Sequence, residues 1–530
     1  MKIQHQLELL REIWSTLDED YQIHQNTILQ VLQGKAQAAI SLIDGIVGKP
    51  GDDPTMKNIM SKKGESRRAK YAVWVKASLK SVSGDLKEWS EVFDISWYLI
   101  IRLANTKLDQ QLQPVEVGET DPLSTLKDLR EAIKSSLTTQ EEAEKSTVFL
   151  SSTFFTNTNT SYTPLEFGRS GSGIWTSGDG STRYLIDQPS TISTLPDVCK
   201  LAKILKEVEP FQFCILTCKG VVKEVKDLPS PKPTHHDTDS KAISPVPAFT
   251  SRFLFDVPSN LTKPQYLRTL LVPSSSGASP LDDRFSLARQ LAKAVMFVHS
   301  AGFVHKNIRP ETVLMFEEKD SADVWAFLTG FESFRLADGH TMYQGDEQWE
   351  KNLYRHPTRQ GVQPEEVYSM QHDIYSLGVC LLEIGMGSSL VLWNTEEGVV
   401  VPNVSIATDV NSTIKGSRKK AFGIKRALVQ LAQNELPSKM GRKYTETIVI
   451  CLTCLDTSNT FGDESEFLDE NGILVGVRFI EKVTDRRIRG IFILLSLIGL
   501  DSTSWIEDMT GTATSNYISH YKGWQRSVFL

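Results

Sequence analysis

The residues that could do chemistry lie in two short runs. His305-Lys306-Asn307-Ile308-Arg309-Pro310-Glu311-Thr312 gathers an imidazole, an amide, a guanidinium and a hydroxyl, and Gly330-Phe331-Glu332 follows downstream. The amide of Asn307 can orient a hydroxyl but cannot accept its proton, so it cannot act as a general base, a role usually worth about 10² to 10⁴ in rate. The Thr312 hydroxyl and the bare backbone of Gly330 supply no carboxylate to hold a divalent cation. Arg309 adds a fixed positive charge.

Other candidate groups are weaker. Gly168-Arg169-Ser170-Gly171-Ser172-Gly173 is glycine-rich, but its spacing is not G-x-G-x-x-G and no Val follows, so it reads as a hairpin tip. Cys451 and Cys454 fall in an apolar stretch read as a buried helix, and Cys214 and Cys218 in a run over 211–219 read as a strand. Neither pair has a second Cys/His pair at zinc spacing, so both read as core. His235-His236 lies in a Pro-rich run without further ligands and reads as solvated. No metal site is expected.

At 530 residues the chain suggests two or three domains. Its 40% hydrophobic and 23% charged content is that of a soluble globular protein, and the net charge of -7 argues against nucleic acid as a partner. The first residues lack an apolar core, so secretion is not expected, and the Asn-x-Ser/Thr sequences at Asn159, Asn260, Asn403 and Asn411 read as chance. No run approaches the roughly 18 apolar residues of a transmembrane helix. Six cysteines in so long a chain do not make a disulfide framework. A reduced, cytoplasmic protein is the expectation.

The elements that would position the two runs follow from periodicity. Ile3, Leu7, Leu10, Trp14, Leu17 and Tyr21 form one helical seam, 28–47 is a second apolar stretch, and Tyr71 to Ile100 keeps steps of three or four throughout. Together they predict an all-α bundle over 1–135. From 146 to 184 the composition changes to short strands and loops, followed by a helix over 195–208. Residues 228–247 are Pro-rich and read as a disordered insertion, and 252–258 returns to a strand. Leu287, Leu291, Val295 and Val298 form a helix stripe closed by Gly302. Helices are expected at 444–455 and 476–483, and 486–530 is an atypical tail.

The order His-x-x-x-x-Pro after a helix and glycine resembles the catalytic loop of protein kinases, H-R-D-L-x-x-x-N. Phe327-Leu328-Thr329-Gly330-Phe331-Glu332 stands where that family carries D-F-G, and Tyr354-Arg355-His356-Pro357 resembles the end of its activation segment, with Thr358 replacing the acid. His372-Asp373-Ile374-Tyr375-Ser376-Leu377-Gly378 with Glu383 matches its central C-lobe helix. The resemblance is strong over 281–385 and weaker over 146–485. It implies a two-lobed fold in which His305, Pro310, Phe331, Pro357, Asp373, Gly378 and Glu383 hold the C-lobe together. The phosphate-pairing lysine would end the strand 183–188, where Asp187 and Gln188 stand instead. Glu207, the lysine's usual partner, then reads as a solvated residue. Lys306 in the arginine's place gives up a bidentate phosphate contact.

The N-terminal part resembles the HeLo or HeLo-like (prion-inhibition and propagation) domain of filamentous fungi, through Lys70-Tyr71-Ala72, Asp85-Leu86-Lys87-Glu88-Trp89, 93–100 and Pro122-Leu123-Ser124-Thr125. That family acts in heterokaryon incompatibility and regulated cell death. Its usual apolar leading segment is missing here, which argues against membrane activity. The expected whole is an α+β chain: a helical bundle followed by a pseudokinase that works through protein–protein contact, with self-association through the bundle. Two alternatives stand beside it, a divergent Ser/Thr-type kinase that binds ATP and magnesium, and a membrane-active effector. In the leading reading no cofactor is needed.

Overall fold

The structure is a computed structural model. It describes scattered positions between 7 and 41, then 122–135, 139–151, 161–167, 172–187, 194–225, 249–272, 279–319, 321, 323–336, 348–361, 364–394, 399–411, 417–457 and 459. The long apolar period 71–100, the Pro-rich insertion, the glycine run 168–171, the helix expected at 476–483 and the tail lie outside these residues. The chain is a mixed α and β protein. Among the described residues no helix is long and apolar enough to cross a membrane.

After the helical positions up to 41 come α1 (Pro122–Lys134) and α2 (Gln140–Glu144). A six-stranded sheet follows, formed by β1 (Phe149–Leu150), β2 (Ser161–Pro164), β3 (Gly173–Thr176), β4 (Arg183–Ile186), β5 (Cys218–Val225) and β6 (Phe249–Asp256), in the order β1-β5-β6-β4-β3-β2. Between β4 and β5 run α3 (Leu195–Lys206) and the single turn α4 (Pro210–Phe213). The strand read over 211–219 is corrected here. Pro210 sits in the first turn, the Glu209 carboxylate accepts from Gln212 N–H at 2.5 Å, and Cys214 closes the turn at φ 56. These capping groups favour a helical start over extension, and the strand begins only at Cys218. The cysteines are buried and unbridged, as the core reading of both pairs requires. Burial pushes the Cys218 and Cys451 thiols up to about 12.

After β6 the chain crosses to a second unit: β7 (Leu261–Tyr266), α5 (Leu267–Leu271), α6 (Leu281–Ser300), β8 (Phe303–Val304), β9 (Val313–Glu318), β10 (Val324–Leu328) and β11 (Arg335–Leu336). The helices α7 (Trp349–Asn352) and α8 (Met370–Met386) are followed by the hairpin β12 (Val391–Asn394) and β13 (Val399–Pro402), then α9 (Val404–Val410), α10 (Ser417–Met440) and α11 (Arg442–Leu452). Here β10-β9-β7 form one antiparallel sheet and β11-β8 a short ladder. α8 is buried along nearly its whole length and packs against α6, α10 and α11. Gly378 permits that approach, since a Cβ there would stand 2.8 Å from the Cys451 Cβ. One connected apolar core contains residues of both units, and Leu10, Leu129 and Ala143 belong to it.

Candidate functional site

α6 stops where expected, with Ala301 as its cap and Gly302 at φ +85 donating to the His299 carbonyl at 3.0 Å. The turn delivers β8, whose pairing with β11 fixes the start of the 305–312 loop. His305 is wholly buried. Its Nε2–H donates to the Thr329 carbonyl at 3.0 Å, and its ring meets Phe331 edge-on at 4.9 Å. Phe331 packs in turn on Phe253 and Phe255 at ring separations of 6.3 and 6.0 Å. Lys306 takes a left-handed backbone, φ +67, unusual for a residue with a Cβ. The Asp373 carboxylate, fully buried on α8, holds that turn. It accepts from His305 N–H at 2.7 Å, Lys306 N–H at 2.9 Å and Tyr368 O–H at 2.7 Å, and lies 3.1 Å from His299 Nε2. Burial alone would raise its pKa, but the His299 bond and the neighbouring imidazoles outweigh that and hold it below the usual range.

The altered positions are tied to one another. Asn307 Nδ2 donates to Glu332 Oε1 at 2.6 Å. The Thr312 hydroxyl stays inside its own loop, within 2.8 Å of the Asn307 carbonyl and 2.9 Å of the Arg309 carbonyl. Gly330 sits at φ +84, where an added Cβ would meet Thr312 Cγ2 at 2.5 Å. These groups do not fit a magnesium ion. One carries no side chain, one has its hydroxyl turned into the loop, and the third has its amide on a carboxylate. Arg309 is buried, and its charge helps hold the Glu311 carboxyl down against the opposing effect of burial, with Arg268 contributing more.

Asp187, noted in the sequence only as an absent lysine, proves to be a central contact. It is 4% exposed, and its Oδ2 accepts from both Gly330 N–H, at 2.8 Å, and Phe331 N–H, at 2.9 Å. A lysine could do neither. Beside it lies Tyr266, at the end of β7. Burial first, then the Asp187 charge, push the Tyr266 phenol up; it shares a hydrogen bond with the Ser172 side chain, and Glu332 adds to the effect. Ser172 immediately precedes β3, and Tyr162 of the paired strand donates to its carbonyl at 2.9 Å. Ser172 thereby ties the β2–β3 pair to Tyr266. Glu207 is the half-buried cap residue of α3.

A second missed residue is Arg268 on α5, wholly buried. Its guanidinium reaches Glu311 and Glu383 at 2.9 Å each, the Tyr354 hydroxyl at 2.6 Å and the Ser389 hydroxyl at 2.5 Å. Glu383 also accepts from Tyr354 O–H at 2.8 Å and Leu390 N–H at 2.7 Å. The only sequence signal was a lone cation inside the apolar run 266–272. Pro310 opens the 3₁₀ turn that presents Glu311 to this network, and Pro357 opens another after His356. There Thr358 lies 2.9 Å from His356 Nδ1 and 3.3 Å from His372 Nε2, and Lys425 of α10 donates to His356 Nε2 at 3.0 Å and pairs with Asp456.

No family model matches the chain. A curated protein of Dictyostelium discoideum, named "Probable serine/threonine-protein kinase kinase", is 24% identical over 128 residues, 24% of this chain and 28% of that protein. The chain thus matches well under a third of that relative's length. The match supports a kinase-like domain. His305, Phe331, Asp373 and Glu383 are all buried and bonded, Asn307 bonds to Glu332, and Gly330 and Phe331 bond to Asp187.

The buried imidazoles should make the domain acid-sensitive. Burial pushes His305 down to about 4, while burial followed by the Lys425 charge pushes His356 to about 3; burial also lowers His372. A base whose folded pKa is depressed gives stability that is complete above the unfolded value, near 6.5, and is lost as pH falls toward the folded one. Between pH 7.5 and 5 His305 and His356 should each withdraw on the order of 2 kcal/mol. Thermal melts at the two pH values should therefore differ by several degrees, and His305→Gln should shrink the difference. An unchanged melting temperature at pH 5 would refute the assignment.

Proposed function

We propose that the kinase-like domain is a pseudokinase, a two-lobed unit whose role is protein–protein contact rather than phosphoryl transfer. The observation that carries this reading is the Asp187 carboxylate, at the place of the phosphate-pairing lysine, bonded to the backbone of Gly330 and Phe331. The six-stranded sheet with α3 serves as the N-lobe and the helical unit as the C-lobe. Asp187, Glu332 and Tyr266, with Ser172 bonded to it, would then stand where a nucleotide enters between them. With the HeLo-like resemblance of 1–135, the whole reads as a signalling or regulatory protein of the fungal incompatibility or cell-death type. Self-association would run through the helical part.

Millimolar ATP with magnesium should leave the melting temperature of the full chain within about 1 °C, where binding at a hundredfold excess over Kd would stabilise it by about 2.7 kcal/mol. Restoring the acid by Gly330→Asp should not create binding. It should cost roughly 2 kcal/mol or more, because the backbone is left-handed and Thr312 blocks the Cβ. Clear γ-phosphate transfer lost in Asn307→Ala would sink the pseudokinase reading. The name of the Dictyostelium relative favours the second reading, a divergent ATP-binding kinase, and the same melts decide between them.

A further inference from the structure

Helix α3 is buried on more than one face. Its buried residues Leu195, Val198, Cys199, Leu201, Ile204 and Leu205 span, at about 100° per residue, an arc of roughly 220°. A helix resting on one neighbour needs an apolar stripe of only about 100°. α3 therefore needs cover on two sides. The sheet supplies one through β5, and α1 and α2 supply the other. Leu129 of α1 and Ala143 of α2 are fully buried, and Arg130 is 2% exposed. α2 has only five residues, far below the roughly 12–15 that let a helix stand alone in water. A reciprocal capping box and its seat on α3 sustain it: Glu142 N–H donates to Thr139 Oγ1 at 3.3 Å, and Thr139 N–H to Glu142 Oε2 at 2.8 Å. The chain then runs directly into β1, which pairs in parallel with β5, and Val221 N–H donates to the Val148 carbonyl at 2.8 Å.

Two short routes lead from α3 to the closed cleft. Through the turn that follows it, the Cys214 carbonyl accepts from Leu328 N–H at 3.0 Å, two residues before Gly330. Through the sheet, β5 pairs with β6, and the Phe253 carbonyl of β6 accepts from Asp187 N–H at 3.0 Å. We propose that α1, α2 and β1 form a strap that sets α3 and, through it, the contact of Asp187 with the Gly330–Phe331 turn. Displacing the N-terminal segment then loosens the cleft, and the kinase-like domain reports the state of the helices before it. This rests on the closed-cleft reading above, and its test is separate from nucleotide binding.

Hydrogen exchange on the full chain tests it, comparing wild type with Leu129→Ala, which opens the seam, and Thr139→Ala, which removes an exposed cap without touching the core. Amides of α2, of α3 and of Gly330 and Phe331 should exchange at least about threefold faster in both variants, with α8 unchanged. Acceleration confined to residues before 150 would overturn the strap, and so would an equal acceleration in α8, the mark of general destabilisation. If wild-type chain is stabilised by ATP, the closed-cleft reading fails by itself. The exchange pattern still decides whether the strap couples to α3.

Discussion

Arg268→Ala is expected to lower the melting temperature of the kinase-like domain by roughly 6–15 °C, the equivalent of about 3–5 kcal/mol. The reason is the state of what remains. Removing the guanidinium leaves Glu383, with no exposed surface, and Glu311, 14% exposed at its side chain, without their cation. Burial already raises the Glu383 pKa, so without Arg268 it would fold only by taking up a proton. Arg268→Lys should recover only part of the loss, since an ammonium cannot reach Glu311, Glu383 and Tyr354 at once. Replacing Arg268, Glu311 and Glu383 together by apolar residues of similar volume should cost much less than the single change. A melting temperature for Arg268→Ala within 2 °C of wild type would show the network to be energetically idle.

Asp373→Ala should be of similar size, on the order of 3–5 kcal/mol, through a different mechanism. Its carboxylate satisfies two backbone N–H groups and a phenol in a place water does not reach, and one of those N–H groups belongs to the strained Lys306. Without it the left-handed turn has lost what holds it. Asp373→Asn keeps the volume but offers one acceptor oxygen and turns an N–H donor toward other donors, so it should fall between. Amide exchange at His305 and Lys306 should rise in both variants before that of α10 or α11. Protection unchanged at those two amides would remove Asp373 from the role of loop anchor.

What the sequence showed, and what it hid, divides by distance along the chain. The 305–312 loop, Phe331 and the α8 residues could be singled out because the kinase resemblance is carried by short runs, each local in the chain. Arg268 was not, because its partners stand 43, 86, 115 and 121 residues away. Asp187 was visible only as a missing lysine, since an acid at a strand end says nothing of N–H groups 143 and 144 residues on. The segment 211–219 failed for a local reason. A short apolar run does not distinguish strand from turn by period, and the Glu209–Pro210 start that decides it lay just outside the window. The helix α10 escaped notice altogether, its apolar positions diluted by Lys, Gln and an internal Pro437.

The crowding of Gly330 against Thr312 also constrains how the sequence can vary. A methyl group stands where a Cβ at 330 would go, so a side chain enters position 330 only with a collision or after position 312 has changed. The two positions are coupled in order, like a ratchet with its pawl engaged. If the pseudokinase proposal holds, a library of single-residue changes at 330 should yield no member active in phosphoryl transfer.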